Sequence, residues 1–220
     1  MTTTWRLVPT VLVVAATLLV TPGAAAQTSS LTTGFQDDGG WCAGPFMDIT
    51  ATTNLTISSF AMYFKGTLNR NVSVYYKAGS YIGSEGTPAA WTLLGTVNVT
   101  PAGSGSATTV NLGGVSIPAG QTYGFHVWDN LGTGGTEGGG LILKSNPPTY
   151  SNADMTLTTY YYTCDSAFGT ASNAWGWQGT VYYALGNGQG IPTLGPEALV
   201  GLAAVVLLLG WFILRQRSVA

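Results

Sequence analysis

The stretch Thr122-Tyr123-Gly124-Phe125-His126-Val127-Trp128 decides the fold class. In an extended chain successive side chains point to opposite faces. Tyr123, Phe125 and Val127 therefore share one side, and Gly124, His126 and Trp128 the other. The same period of two recurs on both sides of this stretch. Val72, Val74 and Tyr76 alternate with Ser73 and Tyr75, Val97 and Val99 flank Asn98, and Val110 and Leu112 flank Asn111. Leu55 and Ile57 share one phase and Phe60, Met62 and Phe64 the next. The slip between them, at Ser58-Ser59, predicts a bulge or a bend. Met155 and Leu157 lead into Tyr160 to Tyr162, and Trp175, Trp177, Val181 and Tyr183 close the series. Turn clusters such as Gly103-Ser104-Gly105, Pro118-Ala119-Gly120 and Asn146-Pro147-Pro148 separate the runs. No stretch of this region carries a 3.6-residue apolar stripe. Short strands at this spacing predict an all-β domain, an antiparallel β-sandwich or jelly-roll-like fold.

Three segments set out a turn grammar. Val72 to Gly83 reads as a strand that ends in a turn. Ala90-Trp91-Thr92-Leu93-Leu94-Gly95 opens the next strand, and Ile117-Pro118-Ala119-Gly120 turns into the strand from Thr122. This combination resembles an uncharacterised β-sandwich domain of secreted bacterial proteins. The resemblance implies a sandwich and no particular ligand.

The ends of the chain read differently. Arg6 precedes the apolar stretch Leu7 to Val20, then Pro22-Gly23 and Ala24-Ala25-Ala26 before Gln27. A basic start, an apolar middle and a small-residue exit describe a signal peptide over 1–26, with a retained membrane helix as the alternative. At the other end, Ala198 to Leu214 holds no charge and no proline. Seventeen helical residues reach roughly 25 Å, close to a hydrocarbon core of about 30 Å. Trp211 and Phe212 suit the interface, and Arg215 and Arg217 suit a cytoplasmic stop. The expected order is a signal peptide (1–26), an extracytoplasmic domain (27–187), a linker (188–197), a transmembrane helix (198–214) and a basic cytoplasmic tail (215–220).

Ile191-Pro192-Thr193-Leu194, followed by that helix and the terminal arginines, resembles the IPTL-CTERM protein-sorting domain of Gram-negative bacteria. The resemblance implies recognition of residues 191–194 by an exosortase-type membrane enzyme, cleavage near the motif, and transfer of the outer domain to the cell surface or matrix. Gly195-Pro196-Glu197-Ala198 stands where family members commonly carry a polar residue and Trp-Gly, and its Pro-Glu pair resembles the related PEP-CTERM tag. A plain single-pass anchor is the alternative.

The outer domain has four cations, Lys65, Arg70, Lys77 and Lys144, and eight acids, Asp37, Asp38, Asp48, Glu85, Asp129, Glu137, Asp154 and Asp165. That acidic balance argues against nucleic acid, which needs clustered cations. Cys42 and Cys164 are the chain's two cysteines. In an exported protein such a pair is expected to form a disulfide, here across a loop of about 120 residues, with free thiols or a metal pair as alternatives.

Catalytic patterns are sparse. The single histidine, His126, sits inside an alternating strand, and Asp129 falls on the opposite face of that strand. A catalytic histidine needs a nucleophile and an orienting acid. No Gly-x-Ser-x-Gly elbow, P-loop or dinucleotide fingerprint is present. No cofactor is expected. Asp37-Asp38-Gly39-Gly40 could offer oxygen ligands to Ca²⁺, although a solvated turn explains it as well. The domain is rich in aromatic residues. Trp41, Trp128, Trp175 and Trp177 are the candidates for a ligand-binding surface, against the reading that such rings fill the core. The expected function is a non-enzymatic cell-surface or matrix protein acting by adhesion or assembly. The expected partners are the membrane, a sorting enzyme and a surface polysaccharide. The alternative is a carbohydrate-binding module. A glycosidase, which needs two carboxylates facing a cleft, is the weakest reading.

Overall fold

The computed structural model describes residues 28–37, 40–132 and 139–186. The signal peptide, the Ile191-Pro192-Thr193-Leu194 motif, the apolar run, Arg215, Arg217 and Asp38 lie outside the described residues.

Strands form where the period of two predicts them and in several places where it is silent. In chain order they are β1 (Thr28–Thr32), β2 (Gly40–Cys42), β3 (Gly44–Ala51), β4 (Leu55–Tyr63), β5 (Arg70–Ala78), β6 (Thr92–Val99), β7 (Ala107–Val110), β8 (Val115–Ile117), β9 (Thr122–Asp129), β10 (Leu141–Ser145), β11 (Tyr150–Ser151), β12 (Met155–Thr163), β13 (Ser172–Asn173), β14 (Trp175–Gly176) and β15 (Gly179–Leu185). One short 3₁₀ turn, Pro88–Ala90, precedes Trp91 and β6. The strands make a seven-stranded sheet in the order β11-β12-β3-β9-β5-β6, with β13 against β12. A five-stranded sheet runs β1-β15-β4-β7, with β8 beside β7 on β4. A small third sheet is β14-β10-β2. Every ladder is antiparallel. The all-β, antiparallel expectation holds, and the arrangement is sandwich-like.

One core lies between the two larger sheets. Leu55, Ile57, Phe60, Met62, Val181 and Tyr183 from the five-stranded sheet meet Met47, Ile49, Val72, Val74, Phe125, Val127 and Leu157 from the seven-stranded one. Fully burying side chains of this size contributes roughly 1.5–3 kcal/mol each. The phase slip at Ser58-Ser59 is real. Tyr182 pairs with Ser59 and Tyr183 with Ile57, which leaves Ser58 as the extra residue of a β-bulge. The bulge returns Phe60 and Met62 to the core side that Leu55 and Ile57 already occupy.

The seven-stranded sheet is also covered on its outer face. Phe46, Tyr81 and Trp91 form a second apolar cluster there, with Tyr75, Tyr161 and Phe168 packed against it. The segment after β5 folds back over the sheet to supply Tyr81 and Trp91. Asp48 on β3 fastens it, accepting the Ser80 hydroxyl at 2.5 Å and the Tyr81 N–H at 2.9 Å. Burial raises the Asp48 carboxyl above its ordinary range against the lowering effect of those bonds. Gly124 makes room for this fold-back, since a Cβ there would come within 2.9 Å of the Tyr81 backbone nitrogen.

Two cross-links close the structure. Cys42 and Cys164 are disulfide-bonded across 122 residues, with Cα atoms 5.0 Å apart. The bond joins β2 to the end of β12. A buried ion pair links β5 to β9. Arg70 donates from Nη1 to Asp129 Oδ2 at 2.7 Å, and both side chains are fully buried. Arg70 Nε donates to the Leu68 carbonyl, and the guanidinium lies 5.1 Å over the Phe64 ring. Asp129 also accepts the N–H groups of Leu131 and Gly140, so one carboxylate ties a residue just after β9 to the residue before β10.

Candidate functional site

The third sheet brings two of the four candidate tryptophans together. Trp41 pairs with Ile142 and Trp175 with Ser145, on either side of β10. With Gly40, Cys42, Leu143, Tyr162 and Cys164 they line a cleft of about 270 Å³. Gly40 is the residue that shapes it. The Trp175 ring lies so close over Gly40 that a Cβ there would stand 1.9 Å from Cε3 and Cζ3. Trp41, Tyr162 and Trp175 are all half-buried. The cleft has no ionisable wall apart from a tyrosine hydroxyl, and its volume lies just below the range of about 300–1,000 Å³ typical of small-molecule pockets.

The other two candidates lie elsewhere. Trp128 is half-buried on the outer face of the seven-stranded sheet, 6.3 Å from His126, and is not among the residues lining the cleft. Trp177 is a correction. It is 1% exposed and meets Phe60 edge to face at 6.3 Å. The turn between β14 and β15 directs it into the core, where it fills space and is closed to ligands. Its backbone N–H donates to Thr159 Oγ1 at 2.8 Å.

His126 is fully buried. Its ring stacks on Phe46 with centroids 4.0 Å apart, and Phe168, Tyr75 and Trp91 stand within about 6 Å. Nδ1 meets the Pro45 carbonyl at 3.2 Å, while among the described residues Nε2 has no partner in good hydrogen-bond geometry. Burial pushes its pKa down from 6.5 to about 4, against the opposing pull of the Pro45 and Ala167 backbone. It is a neutral packing residue at ordinary pH. Asp129 stands on the opposite face, as the alternation requires, and is committed to Arg70. Asp37 makes an ion pair with Lys65 at 3.9 Å, a part-exposed contact worth little. Among the described residues no three His, Cys, Asp or Glu side chains gather to hold a metal ion.

A second feature was not legible in the sequence. On the outer face of the five-stranded sheet, the register lines up Thr32, Thr180, Ala61 and Thr109 in one row. Ser30, Tyr182 and Ser59 form the next, and Thr28, Ala184, Thr56 and Ser116 a third. Hydroxyls pair across strands at 2.9 Å, Thr32 with Thr180 and Thr56 with Ser116. These rows contain no charged side chain.

No protein family and no curated protein matches the chain. Among solved structures, the cysteine protease and lectin-like domains of Cwp84, a surface layer associated protein of Clostridium difficile, match at 12% identity and a TM-score of 0.39, over 72% of this chain and 36% of that one. The structure of infectious bursal disease virus, Gx strain, matches at 13% identity and a TM-score of 0.21, over 74% of this chain and 41% of that one. The chain thus spans less than half the length of either.

Proposed function

We propose that this chain is a non-enzymatic surface or matrix protein whose outer domain acts by adhesion or assembly. The observation that carries this reading is the uncharged outer face of the five-stranded sheet, a platform of Thr, Ser, Ala and Tyr in register. Such a face carries no ions to desolvate and meets another neutral, hydroxyl-rich surface without electrostatic penalty. The burial of His126 and the commitment of Asp129 to Arg70 support the same reading, because they leave neither group facing a cleft. A signal peptide over 1–26 delivers the domain. A C-terminal signal of motif, membrane helix and Arg215/Arg217 holds it in the inner membrane, C-terminus inside, until an exosortase-type enzyme acts near Ile191-Pro192-Thr193-Leu194. The test is the mass of the mature C-terminus. A mature protein ending near the motif supports sorting, whereas an intact Ala220 in the bulk of the envelope protein refutes it in favour of a permanent anchor.

The second reading, a carbohydrate-binding module, is favoured by one observation, the Trp175 ring lying over Gly40 in a cleft that Trp41 and Tyr162 also line. Flat rings stack on the apolar face of a pyranose. A glycan array probed with residues 27–187 and with the Trp175→Ala variant tests it. Uniform non-binding of the unmodified domain excludes that reading.

A further inference from the structure

The seven-stranded sheet ends in β6, and we propose that this edge pairs antiparallel with the β6 edge of a second copy of the chain, continuing the sheet across two molecules. A terminal strand presents a row of unpaired backbone N–H and C=O groups, and proteins ordinarily shorten, charge or cover such rows. The other edges here follow that practice. β7 has four residues, β8 three, and β11 and β13 two each. β1 is touched on its backbone by Asn152, whose Nδ2 donates to the Ser30 carbonyl at 3.3 Å. β6 runs for eight residues, Thr92–Val99, with neither a charge nor a proline. Among the described residues, no backbone hydrogen bond outside its ladder with β5 involves this stretch. Leu93 is 51% exposed. Leu112 covers its inner face at Gly95, where a Cβ would come within 2.8 Å of the leucine Cδ2.

Another strand is the natural complement of such an edge. A second copy fits for two reasons. First, a two-fold antiparallel pairing opposes this strand with itself, and without charges no register sets like charges against one another. Centred on Thr96, it matches Thr96 with Thr96 on the outer face and Gly95 with Val97 on the inner face. Cross-strand Thr pairs of this kind are favourable. Second, copies displayed in one membrane, which rests on the reading proposed above, meet at high effective concentration.

The full chain, solubilised in detergent, is examined by sedimentation equilibrium and by hydrogen exchange at low and high protein concentration. The expected result is a concentration-dependent dimer with exchange protection rising in residues 92–99. Thr96→Lys places two cations opposite one another and gives up the Thr96 hydroxyl's 2.8 Å bond to Ser73. It should lose the dimer and that protection, while Thr96→Val, which gives up the same bond without adding a charge, should keep both. Ile82→Lys, on an exposed loop away from the edge, should dimerise normally. A monomer at every concentration refutes the proposal, as does a dimer unaffected by Thr96→Lys or protected outside 92–99. Protection of β6 only on adding an unrelated extended peptide refutes the second copy in favour of a foreign strand. Dimerisation through β6 in a protein that is not retained at the cell envelope would overturn the display reading and leave this one standing.

Discussion

Replacing His126 by phenylalanine should remove a large part of the domain's sensitivity to acid. The imidazole is fully buried between Phe46 and Phe168, and burial lowers its pKa from 6.5 to about 4. The unfolded chain therefore binds a proton between those two values that the native protein does not. Stability is fully present above pH 6.5 and falls as the pH drops towards 4. Each pH unit in that window costs about 1.4 kcal/mol, so the 2.5-unit gap is worth about 3 kcal/mol, a large share of a net stability of roughly 5–15 kcal/mol. The Tyr81 phenol, in the apolar cluster the ring packs against, does not titrate there. Burial, followed by the charge of Asp48, raises the Tyr81 phenol further. Asp48 itself has a raised pKa and acts in the opposite direction, gaining native protons as the pH falls. It is present in both proteins and cancels in their difference. The assay is urea unfolding of the disulfide-intact protein at pH 7.5 and pH 4, for the natural chain and for His126→Phe. The natural chain should lose about 3 kcal/mol more than the variant between the two. Equal losses would refute the buried, neutral histidine.

Asp129→Ala leaves the Arg70 guanidinium buried beside a lost countercharge and frees the Leu131 and Gly140 N–H groups. It should cost about 3–5 kcal/mol, and a double-mutant cycle with Arg70→Met should recover part of that. Reducing the Cys42–Cys164 bond, which spans 122 residues, should lower stability by up to about 4–5 kcal/mol in denaturant titrations with and without reductant. Gly40→Ala should push Trp175 off its seat, at a cost of about 1–3 kcal/mol, and alter the near-ultraviolet dichroism and tryptophan emission. Unchanged spectra would contradict the contact drawn between Gly40 and the indole.

The legible parts of the fold are those buried on one side. β4 carries its period of two and its bulge in plain sight, and so does β5 in its first half. β3 does not. Phe46 and Met47 are adjacent and both fully buried, because one faces the covered outer side and the other the core, so no alternation marks the strand. The closing series of Trp175, Trp177, Val181 and Tyr183 divides into β14, a turn and β15. Of the candidate site, Cys42 and Cys164 were readable as a pair from their number and from the export that residues 1–26 lead one to expect. The juxtaposition of Trp41 with Trp175 was not, since it depends on β10 lying between two segments far apart in sequence. Gly40 carried no signal at all, because its value lies in the ring that covers it.

The sequence by itself determined the strand class, the bulge at Ser58-Ser59 and the opposite facing of His126 and Asp129, all of which follow from local backbone periodicity. The tertiary structure decided which rings are core and which line a cleft, that Asp129 belongs to Arg70, and that β6 is an edge strand among the described residues. Those outcomes depend on register between distant strands and on a segment folding back over the sheet. Alternation along one strand records that a face is buried, and it holds no information about what covers it.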